Sequence, residues 1–254
     1  MTFSQTMLLT YVLVFFRMAG LLAFNPIFSQ NNIPAQFRIG LILGLTFFVA
    51  PTAAQGYQMP TTDAAFVWAM LCELSLGLGI GFIFQCFYYM LFFVGDVADQ
   101  GFGLSMAKAF DPETNIQSSI TGRLLQFIFI AYFFATNGHL IFVQIAVSSY
   151  DFVEIGAQTF FQNAPDFLME LFVQVFGLAM QLLAPFLVAT ITLEAAMGIL
   201  MKLIPQINVF VVHFQFKIMF GFLLLFLYAR PISNFILNYQ TIMFQQTQKL
   251  LQAL

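Results

Sequence analysis

The sequence predicts an all-α integral membrane protein: about six apolar helices followed by a C-terminal amphipathic helix, forming a single domain over 1–254. Three observations carry this expectation. Charged residues fill only 7% of the 254 positions, whereas soluble domains carry roughly a quarter. Hydrophobic residues fill 61% and aromatic residues 18%, with 36 Phe. The apolar residues come in continuous runs and not in alternation, so helix is the spanning form to expect.

The runs cover about 7–24, 39–54, 64–94, 123–147, 167–200 and 207–229. A bilayer core takes about 20 helical residues, so the second run is short and the third long for a simple span. Turn signals separate them: Asn25-Pro26, Asn31 to Pro34, Gln55 to Pro60, Asp111-Pro112, Asn163 to Asp166, Pro205 and Arg230-Pro231. In the tail, Phe235, Ile236, Tyr239, Ile242 and Met243 recur at helical spacing among Asn and Gln. That pattern predicts an amphipathic helix lying on a membrane or against a partner. No stretch is polar or long enough for a separate soluble domain. The first apolar run lacks a basic start and a small-residue cleavage site, so it is expected to remain in the mature chain. Simple alternation places the N-terminus, the acidic 148–166 connection and the tail on the outside. Arg230 and Lys249 in that tail fit the placement poorly.

Composition and spacing exclude several functions. A net charge of −3 argues against nucleic acid. Cys72 and Cys86 lie in one apolar run and read as buried free thiols. His139 and His213 have no metal-ligand spacing around them. No G-x-S-x-G turn surrounds Ser75, Ser105 or Ser118-Ser119, so a serine hydrolase has no support.

The retained charges are the leads, because a lone charge at mid-bilayer costs roughly 2.5–3.5 kcal/mol. They are Arg17, Glu73, Asp96, Asp99, Lys108, Glu194, Lys202 and Lys217, read as polar contacts between helices or subunits. Gly77 and Gly81 lie four apart and let a helix approach closely. Glu73, one turn earlier, should therefore face a partner helix. Asp96, Asp99, Gly103 and Ala107 make one small, acidic face. Two carboxylates there suit a cation or acid/base pair, but an interhelical polar contact or a solvated helix end is preferred. Residues 108–122 suit either a solvent loop or a segment folded back into a cavity. Pro185 interrupts the hydrogen-bond ladder of the fifth run. Glu194 and Lys202 lie two turns apart, so each needs a partner from elsewhere.

In order along the chain stand Arg17-x-x-Gly20, Pro26, Pro34, Arg38, Glu73 with its glycine ladder, and Gly95-Asp96 through Gly103. Asp111-Pro112, Asn137-Gly138-His139, Ala184-Pro185, Glu194 and Gly198 follow. The series ends with Pro205-Gln206-Ile207-Asn208-Val209-Phe210, Lys217 and Gly221. This series resembles the FliR/SctT family of type III secretion export-gate proteins, nearly end to end. Two departures are His213-Phe214-Gln215, where the family often reads Gly-Phe-Pro, and Asp96 in place of Glu.

The resemblance implies a passive channel subunit without cofactor or catalysis, in the bacterial inner (cell) membrane within the flagellar basal body. It implies tilted helical hairpins that assemble with FliP-like and FliQ-like subunits. FlhB-like and FlhA-like proteins would attend the entrance, and unfolded flagellar export substrates would pass through. The loop near 108–122 becomes a plug, with Phe110, Asp111, Pro112, Asn115, Ile116 and Ile120 as its residues. Pro205, Gln206, Asn208, Val209 and Phe210 are the family motif. The alternative is a secondary transporter using the intramembrane carboxylates Asp96 and Asp99.

Overall fold

Asn137 divides what the sequence presents as one apolar run. Its backbone is left-handed, with φ 59°, a conformation Asn tolerates better than most residues. A Cβ on the next residue, Gly138, would lie 2.8 Å from the Phe133 carbonyl oxygen. The chain therefore leaves one helix and starts another here, and the Asn137 carbonyl accepts the Leu140 and Ile141 N–H groups.

The structure, a computed structural model, describes residues 5–29, 33–53, 62–106, 119–157, 159–203 and 209–253. Among these residues the helices are α1 (Gln5–Ala23), α2 (Ala35–Ala53), α3 (Asp63–Phe102), α4 (Ile120–Ala135), α5 (Gly138–Phe152), α6 (Thr159–Leu203), α7 (Val209–Leu227) and α8 (Ala229–Ala253). A 3-10 turn over Leu104–Met106 follows α3. The all-α membrane class predicted from sequence holds, with a different division of helices. Three helices are long and apolar enough to cross a membrane: α2, α3 and the Pro165–Leu203 part of α6. Counting the bent pairs α4–α5 and α7–α8 as one broken span each gives up to 5. The third apolar run continues as helix through the polar Gly95–Phe102 stretch. It ends at Gly103, whose φ of +75° suits a glycine after a helix C-terminus. α6 stays helical through Pro165 and Pro185.

Contacts divide the 1–254 span into two compact units. The first holds Met1–Phe87, Phe133–Val173 and Thr241–Leu254. In it α1 runs alongside the start of α3 in the same direction. A Cβ on Gly20 would come within 2.6 Å of the Leu74 carbonyl oxygen, and one on Gly81 within 2.9 Å of the Phe24 Cβ. One on Gly77 would strike the Arg17 carbonyl oxygen. Small residues at this crossing are thus a steric requirement. α2 packs against α1 and buries Ile42, Leu45, Val49 and Ala50. Phe142 of α5 meets both Phe28 and Phe84 at 5.3 Å between ring centroids. Phe244 of α8 closes this cluster at 6.1 Å from Phe84 and 6.2 Å from Phe133.

The second unit holds Tyr88–Tyr132 and Gln174–Gln240. α3 and α4 run antiparallel here and touch backbone to backbone, since a Cβ on Gly95 would strike Gly122. Phe102 packs edge-on against Phe186 at 5.8 Å, and a Cβ on Gly221 of α7 would lie 2.6 Å from the Phe102 ring. Tyr239 of α8 meets Phe129 at 6.4 Å, and the Gln240 amide donates to the Phe129 carbonyl at 2.6 Å.

The amphipathic tail is thus resolved within the chain itself. Ile236, Tyr239 and Met243 are buried by this chain, with Phe235 and Ile242 half-buried. Asn234, Asn238, Gln245 and Gln252 remain on the exposed side. Cys72 is buried, Cys86 is half-buried, and both are free thiols.

A paired substitution tests the α1–α3 crossing. Gly77→Ala should lower the thermal midpoint of the chain in mild detergent, by the equivalent of about 1–3 kcal/mol of overpacking. Gly40→Ala, on a helix face with nothing within 4 Å, should leave the midpoint unchanged or slightly higher. Equal midpoints for the two variants would refute the close approach.

Candidate functional site

Arg17 is fully buried near the end of α1, an unusual place for a guanidinium in so apolar a chain. The α1–α3 approach at Gly20 and Gly77 puts it against Glu73, which is 1% exposed. Arg17 Nε donates to Glu73 Oε2 at 2.6 Å and Nη2 to Oε1 at 3.0 Å, a bidentate fork. Nη1 donates to the Ser149 carbonyl at 3.1 Å and the Ser149 hydroxyl oxygen at 3.2 Å, and Nη2 donates to the Val153 carbonyl at 3.2 Å. Each N–H of the guanidinium thus has an acceptor. Its plane lies over Tyr150, with Cζ 3.8 Å from the ring centroid. Ser149 and Val153 close the C-terminal end of α5, where helix carbonyls carry partial negative charge. Glu73 Oε1 also accepts the Gly156 N–H at 2.8 Å. Gly156 has φ +78° in the turn that follows α5. One ion pair therefore ties together α1, α3, the end of α5 and the next turn.

The second unit contains a different polar cluster. Asp99 is 0% exposed, and its carboxylate serves the start of α4. The Ser119 hydroxyl donates to Oδ2 at 2.7 Å, and the Thr121 N–H points at both oxygens at 3.3 Å. Ser119 Oγ in turn accepts the Gly122 N–H at 2.8 Å. Ser119 is the N-cap of α4, and Asp99 adds a negative charge at the positive end of that helix. Asp96 is half-buried and accepts from Gln100 Nε2 at 3.4 Å. The two carboxylates of the predicted acidic face thus have different partners.

The third feature is an ion pair on the surface of the second unit. Lys217 Nζ of α7 sits 2.6 Å from Glu194 Oε1 of α6, with side-chain exposures of 15% and 52%. A Cβ on Gly103 would lie 3.7 Å from the Lys217 side chain. Lys202 is exposed in the last turn of α6.

Lys108, Phe110, Asp111, Pro112, Asn115 and Ile116 lie outside the described residues, as do Pro205, Gln206 and Asn208. Ile120 opens α4 with 54% exposure, and Val209 and Phe210 open α7. Sequence reasoning did not single out Ser149, Tyr150, Val153 and Gly156 around Arg17, or the capping role of Ser119. Ser119 had a signal, a Ser immediately before an apolar run. The acceptors that Ser149 and Val153 offer Arg17 had none, two of the three being backbone carbonyls. Among the described residues, no three His, Cys, Asp or Glu come together as metal ligands.

Comparison with known proteins places this architecture. The profile of the family "Bacterial export proteins, family 1" matches residues 8–242. The chain is 25% identical to the flagellar biosynthetic protein FliR of Escherichia coli (strain K12), over 81% of this chain and 78% of that protein. It is 27% identical to the flagellar biosynthetic protein FliR of Bacillus subtilis (strain 168), over 85% and 84%. It is 28% identical to the Yop proteins translocation protein T of Yersinia pestis, over 91% and 89%. The chain belongs to this family of bacterial export proteins, the FliR/SctT family, and is a component of a type III export apparatus.

Removing one partner of a buried ion pair strands the other, at a cost of about 3–5 kcal/mol. Glu73→Leu and Arg17→Met are each expected to destabilise the detergent-solubilised chain on that scale, measured by denaturation with a double-mutant cycle. The double variant Arg17→Met/Glu73→Leu should recover much of the loss. Additive losses would contradict the pairing.

Proposed function

We propose that the chain is a core subunit of the export gate of a flagellar type III secretion system, seated in the bacterial inner membrane within the basal body. In this reading it assembles with FliP-like and FliQ-like subunits into a closed channel. FlhB-like and FlhA-like proteins attend its entrance, and unfolded flagellar proteins pass through it. Its task is passage of polypeptide, not catalysis. The observation that carries the reading is the family match across 8–242, with flagellar proteins among the relatives. Surface chemistry supports it. Phe47, Phe127 and Phe226 are 62%, 70% and 79% exposed, on three different helices. Faces of this kind seek lipid or other subunits.

The segment 108–122 is proposed as the plug. Phe110, Ile116 and Ile120 would seal the lumen, while Asn115, Gln117 and Ser118 keep the segment displaceable in water. The transporter alternative gains nothing from Asp99, whose carboxylate is engaged by Ser119 and Thr121.

Two measurements test the reading. The native mass of the chain in mild detergent, with and without FliP-like and FliQ-like subunits, should show a discrete hetero-oligomer holding one copy of this chain. A well-behaved monomer indifferent to those subunits would overturn it. Deleting 110–118 leaves the Asp99–Ser119 cap in place and should raise ion leakage through the assembled gate. Unchanged conductance in an intact assembly would remove the plug from the proposal.

A further inference from the structure

Arg38 stands in the first turns of α2, and no carboxylate among the described residues pairs with it. Its side chain is half-buried, and its Nε is shut off from solvent with no acceptor among the described residues. The first turn of α2 holds no acidic residue, so nothing in that turn offsets the positive end of the helix. At the same α1–α2 connection, the fully buried Asn25 has an amide nitrogen that also lacks an acceptor. This corner of the first unit therefore offers donors and positive charge, the chemistry that receives an anion.

Deeper along the same two helices lies a groove of about 360 Å³, between Leu8, Val12 and Phe15 of α1 and Leu43 and Phe47 of α2. Its walls present no polar surface, and the Thr46 hydroxyl beside it is spent on the Ile42 carbonyl at 2.7 Å. Water gains no hydrogen bond in such a space. A helix, about 10 Å across, exceeds this volume within one turn, whereas a single hydrocarbon chain does not.

The membrane sets the relative depth of the two features. α2 is one of the three helices long and apolar enough to cross, and its 19 residues rise about 28 Å, close to the roughly 30 Å of a hydrocarbon core. Arg38, near one end, then stands at headgroup level, with Phe37 and Ile39 beside it 60% and 54% exposed. Leu43, where the groove begins on α2, is about 7.5 Å further in, among the tails. Bare apolar side chains occur on other helices too. Here they form a concave wall below an unpaired guanidinium.

We propose that the α1–α2 hairpin binds one anionic phospholipid. The phosphate accepts from Arg38, whose fork of N–H donors matches phosphate oxygens in pairs, and one acyl chain occupies the groove. The proposal requires that the chain lie in a membrane and is independent of the export-gate reading.

The test uses the full chain carrying the photo-crosslinker p-benzoylphenylalanine at Phe47. It is placed in phosphatidylcholine nanodiscs doped with equal amounts of phosphatidylglycerol and of diacylglycerol with the same chains. The mass of the adducted peptide identifies what was captured. Phosphatidylglycerol should exceed diacylglycerol about ten-fold, the scale of one hydrogen bond to a charged group. The same probe at the exposed Phe226 of α7 should show no preference. Arg38→Gln should abolish the preference at Phe47 without lowering the thermal midpoint in lipid-free detergent, because Arg38 has no partner to lose. Equal capture of the two lipids at Phe47 would overturn the proposal. So would loss of the adduct to excess inorganic phosphate, which would make this a site for free anions. Capture of a protein in place of lipid, in membranes that also hold FliP-like and FliQ-like subunits, would overturn it and leave the gate reading standing. If Arg38→Gln does not fold, the preference in the chain with Arg38 intact decides.

Discussion

A charge in an apolar interior must be solvated by the protein itself, and the helix arrangement in each unit follows from meeting that condition. Arg17 needs an acceptor for each guanidinium N–H. One carboxylate can satisfy two of them, so the others must come from elsewhere, and the exposed carbonyls of a helix C-terminus are a ready source. This is why the end of α5 lies where it does against α1 and α3. The pair also accounts for the turn after α5, because Glu73 takes the Gly156 N–H as a further ligand. The net stability from such a site is modest, since desolvation offsets most of the attraction. Its larger effect is on register. Sliding α1 by one turn along α3 would separate Arg17 from Glu73 and move Gly20 away from Gly77.

The same logic appears in the second unit with the sign reversed. There the buried charge is Asp99, and the groups that solvate it are the donor-rich first turn of α4. A C-terminal helix end thus receives a cation in one unit, and an N-terminal helix end receives an anion in the other. Glycines accompany both sites, Gly20 with Gly77 and Gly95 with Gly122. A short polar contact between helices needs the backbones close, and side chains at those positions would hold them apart. Charge and glycine are therefore one device.

This explains what the sequence disclosed and what it withheld. The helical class was legible because continuous apolar runs leave no other spanning form. Glu73 with Gly77 and Gly81 was legible because all three share one helical face. That Glu73 should meet Arg17 was not, since the two lie 56 residues apart and nothing in local spacing links them. The backbone acceptors at Ser149 and Val153 carry no sequence signature at all. The extent of α3 was left open because Asp96 and Asp99 suit a solvated helix end as well as a contact between helices. In the structure they continue the helix, with Asp99 solvated from α4. The tail was read correctly as amphipathic, but its covering surface was assigned to a membrane or a partner. Periodicity reports that a face is buried, not what buries it.

Among the described residues, some charges are buried within a unit and others lie at its surface. Arg17, Glu73 and Asp99 are satisfied inside the fold, so the helices that carry them can dock without outside help. Glu194 lies at the surface of the second unit, where Lys217 pairs with it among apolar side chains that the chain leaves exposed. A subunit built this way can reach the membrane with its internal polar contacts complete. The buried charges thus fix how helices pack within each unit, while the Lys217–Glu194 pair joins α6 to α7 at the surface.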